Sequence, residues 1–516
     1  MKVGENLSMF RATTILATLL LLVAGGSFVG GPVSAQAPKA LTPEQIAEIA
    51  IAVAGAILQP KTGMLILGGC AALGLVALAS DLFRGGVDGV VVCWAAAFPL
   101  SYFASFPQEH PVVTLQRVVV LLAILGLLFA KAGKRTAMAK PLRRAGIACL
   151  AFIVVAGYTL KKSPDLLGSA RVLLDGFFLP VLFGWFVSTR FDIRRWLPSL
   201  HTAVCISSVI CAAIAAAEIV TGQDLLPFEG SSFSYTAGIA RPNGPFSTND
   251  ALALVGALSL FFLLFFRVAL GPKLSGGRKL LHSIGLAGAI GMAFMPQFRS
   301  VALTLLLVLI IDIFWEKRVT SRLGRFAILL AFVGLVLIAR VAAPDMFEDR
   351  SSADNVYGRV AQYEQSLVVF AEHPVLGVGF FNFNNYVAGE PRYFASYEGV
   401  ASVDWPHSNL AAVLAETGTL GFVPYMMMHF LLLAAMWRLR HVSSSGRLVW
   451  KYFVYMFLTY WITGLTETSG YDGFLNLWYV FAITIFYKYV LTEAEPMRAT
   501  NVRVPSRAFS APVGTS

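Results

Sequence analysis

The chain alternates long apolar runs with short polar connections over nearly its whole length. A run of about 18 apolar residues is long enough for a helix to cross a hydrocarbon core of about 30 Å. On that pattern, spans are expected at 62–80, 87–105, 111–130, 144–160, 167–189, 197–220, 249–270, 279–295, 299–316, 324–343, 406–436, 450–469 and 472–491. Ahead of them, Lys2 and Arg11 precede an apolar run over 12–29, and Ala35 and Ala37 offer a small-residue cleavage site. Residues 1–37 therefore fit either a secretory signal peptide or an uncleaved first span. The stretch 42–59 has a helical apolar period and fits a helix on the outer surface or against the bundle.

Only 344–404 breaks the rhythm. Within it Val360, Tyr363, Leu367 and Phe370 recur at spacings of three and four, which predicts an amphipathic helix. Pro374 ends it, and Gly377 and Gly379 permit a tight turn. Such a helix can lie in the membrane interface as a cover over a site. The expected fold is an all-α polytopic membrane protein of about 12–14 transmembrane helices. Its parts are a helical bundle over 38–343, one large loop over 344–404, C-terminal transmembrane helices over 405–491 and a disordered tail over 492–516.

Composition agrees with this reading. Of 516 residues, 57% are hydrophobic and 13% charged, about half the charged share of soluble domains. The net charge of +11 does not point to nucleic acid, because the cations sit in alternate short connections, as the positive-inside rule requires. The connections around Lys131 to Arg144, Arg190 to Arg195, Arg267 to Lys279, Lys317 to Arg325 and Arg438 to Lys451 then face the cytoplasm, together with the C-terminal tail. The 344–404 loop holds nine acids against three arginines, a net charge of −6, and belongs on the outer side. The five cysteines lie in apolar segments without metal-ligand spacing and read as small core residues. Without an Asp-x-Asp pair, a His-x-x-x-His or a phosphate-cradling glycine loop, neither a metal centre nor a nucleotide-driven pump is expected.

The candidate chemistry gathers near the outer face. Arg299 opens a span after Pro296-Gln297-Phe298, Arg241 sits in a Pro-, Gly- and Asn-rich loop, and Arg359 begins the loop helix. Charges at membrane depth are costly and usually face a polar cavity or a partner. An arginine fork binds phosphate bidentately and stays charged at any working pH, so arginines on one face suit a phosphorylated, membrane-borne substrate. Arg171, one turn from Asp175, fits either such a ligand or half of an i,i+4 ion pair. Arg117 fits a snorkelling residue better than a ligand.

His407 stands where the large loop re-enters the bilayer, followed by Asn409. A histidine there can take a proton from a hydroxyl near neutral pH, or simply bond backbone at the interface. Glu416, roughly 13 Å deeper along the helix, fits a partner for a buried arginine better than a base. Glu467 and Glu218 also fall near the outer face. His429 reads as packing, and His373 as support for the turn at Pro374.

Four pieces of this chain resemble the O-antigen ligase and polysaccharide polymerase superfamily of bacterial envelope glycan synthesis. They are Arg241-Pro-Asn-Gly-Pro-Phe-Ser-Thr-Asn-Asp, Phe298-Arg299-Ser300, Gly358-Arg359 through His373-Pro374-Val-Leu-Gly-Val-Gly379, and Pro406-His407-Ser408-Asn409 through Glu416-Thr-Gly418 to Gly421. Two departures stand out: the serine follows Arg299 where the family has Ser-Arg, and Ser408 is inserted after His407. The resemblance spans roughly 200–470. It implies a multi-pass protein of the bacterial inner membrane, with its active site facing the periplasm. It implies a glycosyltransferase that uses no cofactor, metal or nucleotide sugar. The donor would be a glycan on undecaprenyl pyrophosphate, and the acceptor a glycan or lipid A-core hydroxyl.

In that scheme His407 acts as general base or orients the acceptor, Arg241 and Arg299 stabilise the leaving pyrophosphate, and Arg171, Arg359, Glu416 and Asn409 bind substrate. One displacement inverts the anomeric carbon. Polymerase and ligase differ in the acceptor, and an exopolysaccharide-type polymerase is the slightly favoured reading; a protein-directed oligosaccharyltransferase is a smaller branch. The rivals are a lipid-linked glycan flippase or ion-coupled carrier, which broken mid-membrane helices and inverted repeats would favour, and a purely structural envelope protein.

Overall fold

The computed structural model describes residues 88–100, 105–106, 112–129, 140–226, 233–236, 238–271, 274–342, 353–389, 406–467 and 469–501. The expectations for 1–37, 42–59 and 62–80, and those for the tail after Asn501, lie outside these residues. The described chain is almost wholly helical. In order it forms α1 (Asp88–Ala97), β1 (Ser105–Phe106), β2 (Val113–Thr114), α2 (Leu115–Phe129), α3 (Lys140–Thr159), α4 (Leu166–Arg190), α5 (Ile193–Thr221), β3 (Ser234–Thr236) and β4 (Ile239–Arg241). Then follow α6 (Asn249–Leu270), α7 (Gly276–Phe294), α8 (Arg299–Trp315), α9 (Val319–Ala342), α10 (Ala353–Glu372), α11 (Phe383–Ala388), α12 (Asn409–Leu439), α13 (Ser444–Thr466) and α14 (Gly473–Asn501).

These bounds follow the apolar runs closely, since a backbone in lipid must satisfy its own hydrogen bonds and the helix does so within one segment. Six of the described helices (α3, α4, α5, α6, α12 and the apolar part of α14) are long and apolar enough to cross a membrane. The chain is an all-α polytopic membrane protein; the count of 12–14 spans exceeds what the described residues supply by that measure. The expected tail begins later than 492, because α14 continues to Asn501.

α6 is the axis. Sixteen of its residues are buried, among them Phe262, which packs with Trp478, Phe481 and Phe486 of α14, and Phe265, which packs with Phe486. Apolar side chains on the outer helices, such as Val154, Leu167, Phe314 and Leu330, are exposed, as lipid-facing positions should be. Cys149, Cys205 and Cys211 are buried as expected, whereas Cys93 is exposed on α1.

The loop helix α10 forms where the spacing predicts. Val360, Tyr363 and Leu367 are exposed, while Ala361, Gln362, Gln365, Ser366 and Val369 are buried. In a soluble protein the apolar stripe would seek the core. Beside a bilayer the lipid competes for it, and the small and polar face packs against the protein instead.

α12 is not one continuous helix. Gly418 has φ 60° and ψ −165°, outside helical geometry. The Pro374–Gly379 turn enters the break: Val378 and Gly379 donate N–H to the carbonyls of Ala415 and Glu416, and Thr419 and Leu420 donate to those of Pro374 and Val375. The fit requires glycines. A Cβ on Gly377 would come within 2.3 Å of the Glu416 carbonyl carbon, and one on Gly418 within 2.4 Å of the Val375 carbonyl carbon. A broken helix at this depth favours a carrier only if it opens onto a cavity; here another segment of the chain fills it.

Candidate active site

Several element ends meet on one side of the bundle. The β3–β4 hairpin sets Arg241 opposite Ser234. Arg241 Nη2 donates to Asn249 Oδ1 at 3.0 Å, Nε to the Pro296 carbonyl at 3.2 Å and Nη1 to Ser234 Oγ at 3.4 Å. The hairpin is thereby tied to the head of α6 and to the turn before Arg299. The loop after it is held by Glu218, whose Oε2 accepts from the Gly244 N–H at 2.7 Å. Burial pulls the Arg241 guanidinium below its usual value, and nearby Asp250 and Glu467 draw it back up.

Glu467, just past the end of α13, is the hub. Its Oε2 lies 2.9 Å from His407 Nδ1, and its Oε1 accepts from Arg359 Nη2 at 3.2 Å. Arg359 Nη1 also donates to the Thr466 carbonyl at 2.9 Å. The head of α8 joins here through Ser300, whose Oγ accepts from Thr466 Oγ1 at 2.6 Å. Arg299 is close enough to Arg241 and Arg359 for each to feel its charge. A carboxylate can only accept, so Glu467 fixes the His407 tautomer with its proton on Nδ1 and leaves Nε2 with a free lone pair. The backbone at His407 has φ 42°, and Gln297, two residues before Arg299, has φ 55°. Neither residue is glycine, and such conformations cost of order 1–3 kcal/mol each and cluster at functional sites.

Asn409 and Glu416 sit one layer inward. Asn409 is buried, and its Oδ1 accepts from the Gly470 N–H at 2.8 Å, joining the head of α12 to the α13–α14 connection. Glu416 is fully buried and, among the described residues, meets no arginine. Its carboxylate accepts from the N–H groups of Phe381 (2.9 Å) and Phe383 (3.2 Å) and from Tyr471 Oη (2.8 Å). Burial, reinforced by the adjacent carboxylate, pushes the Tyr471 hydroxyl well above its usual value and keeps it a donor. The expected arginine partner is corrected: backbone amides of the inserted turn take that place, because they arrive at the same depth already in need of acceptors.

The Arg171–Asp175 option is also corrected. Asp175 pairs with Arg117, which donates from Nε at 3.0 Å and from Nη2 at 2.8 Å. Arg171 is exposed on α4. A local π turn over Leu174–Phe178 rotates Asp175 away from it. His373 supports the turn as expected, with Nε2 2.7 Å from Tyr386 Oη. His429 is buried among Tyr425, Tyr460 and Trp461, as a packing residue.

The sequence pointed to Arg241, Arg299, Arg359 and His407, and the fold brings them together around a residue it weighed only in passing, Glu467. The signal for Glu467 was its place at the outer end of a span, which many acids share. What distinguishes it is a contact across 60 residues to His407.

A search of curated proteins returns no match to the chain. Residues 284–426 match a family described as O-antigen ligase (Wzy_C). That segment holds Arg299, Arg359, the inserted turn, His407, Asn409 and Glu416. This match supports membership of the O-antigen ligase/polymerase superfamily.

Proposed function

We propose that the protein is an inverting, metal-independent glycosyltransferase that moves a glycan from undecaprenyl pyrophosphate to an acceptor hydroxyl at the periplasmic face of the bacterial inner membrane. The observation that carries this reading is the His407–Glu467–Arg359 triad beside Arg241 and Arg299. His407 Nε2 takes the proton of the acceptor hydroxyl as its oxygen forms a bond to the anomeric carbon. Glu467 holds the ring and stabilises the imidazolium that results. The bond from that carbon to the pyrophosphate oxygen breaks, and the electron pair leaves on the pyrophosphate. Arg241 and Arg299, already close to one another and to Arg359, stabilise that charge without reorganising. The acceptor is a growing exopolysaccharide or O-antigen chain in a polymerase and lipid A-core in a ligase; we favour the polymerase.

The test uses purified protein in lipid with a polyprenyl-pyrophosphate-linked glycan. Wild type should release lipid pyrophosphate in step with glycan lengthening or transfer, and His407→Ala, at equal membrane level, should not. Movement of the lipid-linked glycan across the bilayer without transfer would overturn the reading in favour of a flippase.

A further inference from the structure

The end of the bundle away from His407 carries a second constellation, buried between α5 and α7. His201 and Cys205 lie one helical turn apart on α5, and His282 faces them from α7. His201 Nε2 is 3.1 Å from His282 Nδ1 and 3.5 Å from Cys205 Sγ, and all three donor atoms lie within 4.8 Å of one another. His201 and Cys205 are fully buried and His282 is 6% exposed.

The seam that brings them together is specific. α5 and α7 run side by side in the same direction, with Gly285 against Cys205 and Gly288 against the Ser208 carbonyl. A Cβ on Gly285 would fall 2.9 Å from Cys205 Sγ, and one on Gly288 would fall 2.8 Å from the Ser208 oxygen. Small residues at this spacing let two membrane helices approach to backbone contact. That approach carries His282, one turn before Gly285, onto His201. His201 and Glu218, which supports the Arg241 loop, stand 17 residues apart on α5, about 26 Å of helix.

As a hydrogen-bonded cluster the arrangement is poor. One nitrogen, His201 Nε2, faces two partners, while His201 Nδ1 and His282 Nε2 are buried with no partner. As a ligand set all three inner atoms are used. Donors at bond lengths of about 2.0–2.3 Å from one ion stand about 3.3–3.7 Å apart, close to the two separations here. Two imidazoles with one thiolate suit the soft and borderline ions Cu+ and Zn2+.

We propose that His201, Cys205 and His282 bind one d10 transition-metal ion, Cu+ or Zn2+, and so staple α5 to α7. Binding takes the thiol proton of Cys205 to solvent and leaves a thiolate on the metal. Arg267 and Arg278 lie within electrostatic reach of the histidines. Their charge opposes an added cation, so the thiolate is essential, and it favours Cu+, with which the site is neutral.

The full chain, purified in nanodiscs and stripped with chelator, is titrated in separate arms with Zn2+ and with Cu+ under reductant, and bound metal is counted after gel filtration. One ion per chain in either arm is expected, with sulfur and nitrogen scatterers in its X-ray absorption spectrum; Co2+ in the same site should give a thiolate-to-metal charge-transfer band. Cys205→Ser and His282→Gln, close in volume to the native residues, should lose the band and the stoichiometric ion while eluting like wild type. Wild type that retains neither ion, or binding that survives both substitutions, would overturn the proposal and leave a hydrogen-bonded pair.

Discussion

Each end of the bundle carries a charged cluster, and the two are built differently. At the end of α8 and the start of α13, Arg325 contacts Asp312 at 2.9 Å and Glu316 at 2.6 Å, Lys451 contacts Asp312, and Tyr455 donates to the same carboxylate. Each of these cations sits on an acid. At the other end of the same two helices, Arg299 stands beside two further arginines, and one glutamate serves both Arg359 and His407. The first arrangement is complete in itself, as a structural network in a low dielectric must be. The second holds like charges side by side, the arrangement that the proposed pyrophosphate donor would neutralise. The contrast locates function more sharply than the presence of charge does, since both ends have it.

The sharpest way to break the contrast is to remove the base. His407→Ala should lower glycan transfer by about 10²–10⁴-fold, with protein level and melting temperature near wild type. Arg325→Ala, at the complete end, should do the reverse, reducing folded yield while the surviving protein keeps its turnover. If His407→Ala instead unfolds the protein, the two ends are alike and both structural. Arg241→Lys keeps the charge but loses the fork, and a drop of roughly 10²-fold or more in turnover is expected, of the size seen when one oxyanion donor is removed. Glu467→Gln tests the hub: it spares the shape around His407 but removes the carboxylate, and turnover should fall by about tenfold or more, roughly 1.4 kcal/mol.

Inward of the site the currency is stability. Glu416→Gln replaces one acceptor oxygen of a carboxyl that two amides and a hydroxyl serve, and should cost about 1–3 kcal/mol in a thermal or denaturant melt, with the surviving protein active. The smallest effect is expected at His429, whose two ring nitrogens are buried without partners. His429→Phe should change stability by less than about 1.5 kcal/mol in either direction, since it roughly conserves volume and removes polar atoms from an apolar site.

The spans were legible because the bilayer forces a simple rule on the chain: 249–270, for example, returns as α6 residue for residue. Arg241 and His407 stood out as candidates because the connections expected on the outer side are short or poor in positive charge. The rest was hidden for physical reasons. Val360, Tyr363 and Leu367 predict α10 correctly, but no period tells which solvent claims the apolar stripe. Asp175 has a closer cation in sequence than Arg117, and only a π turn decides between them. Cys205 reads as core until His282, 77 residues later, is laid against it by two glycines.

The break in α12 bears on how the protein is made. Ala415, Glu416, Thr419 and Leu420 leave their main-chain groups to a turn that is translated about 40 residues earlier. When α12 leaves the translocon its ladder of bonds is incomplete, and each group left open in lipid costs several kcal/mol. Closure of the helix therefore waits for docking of the preceding loop. A chain whose loop stays undocked would expose a span with an incomplete hydrogen-bond ladder to the bilayer, so the loop and the helix become native only together.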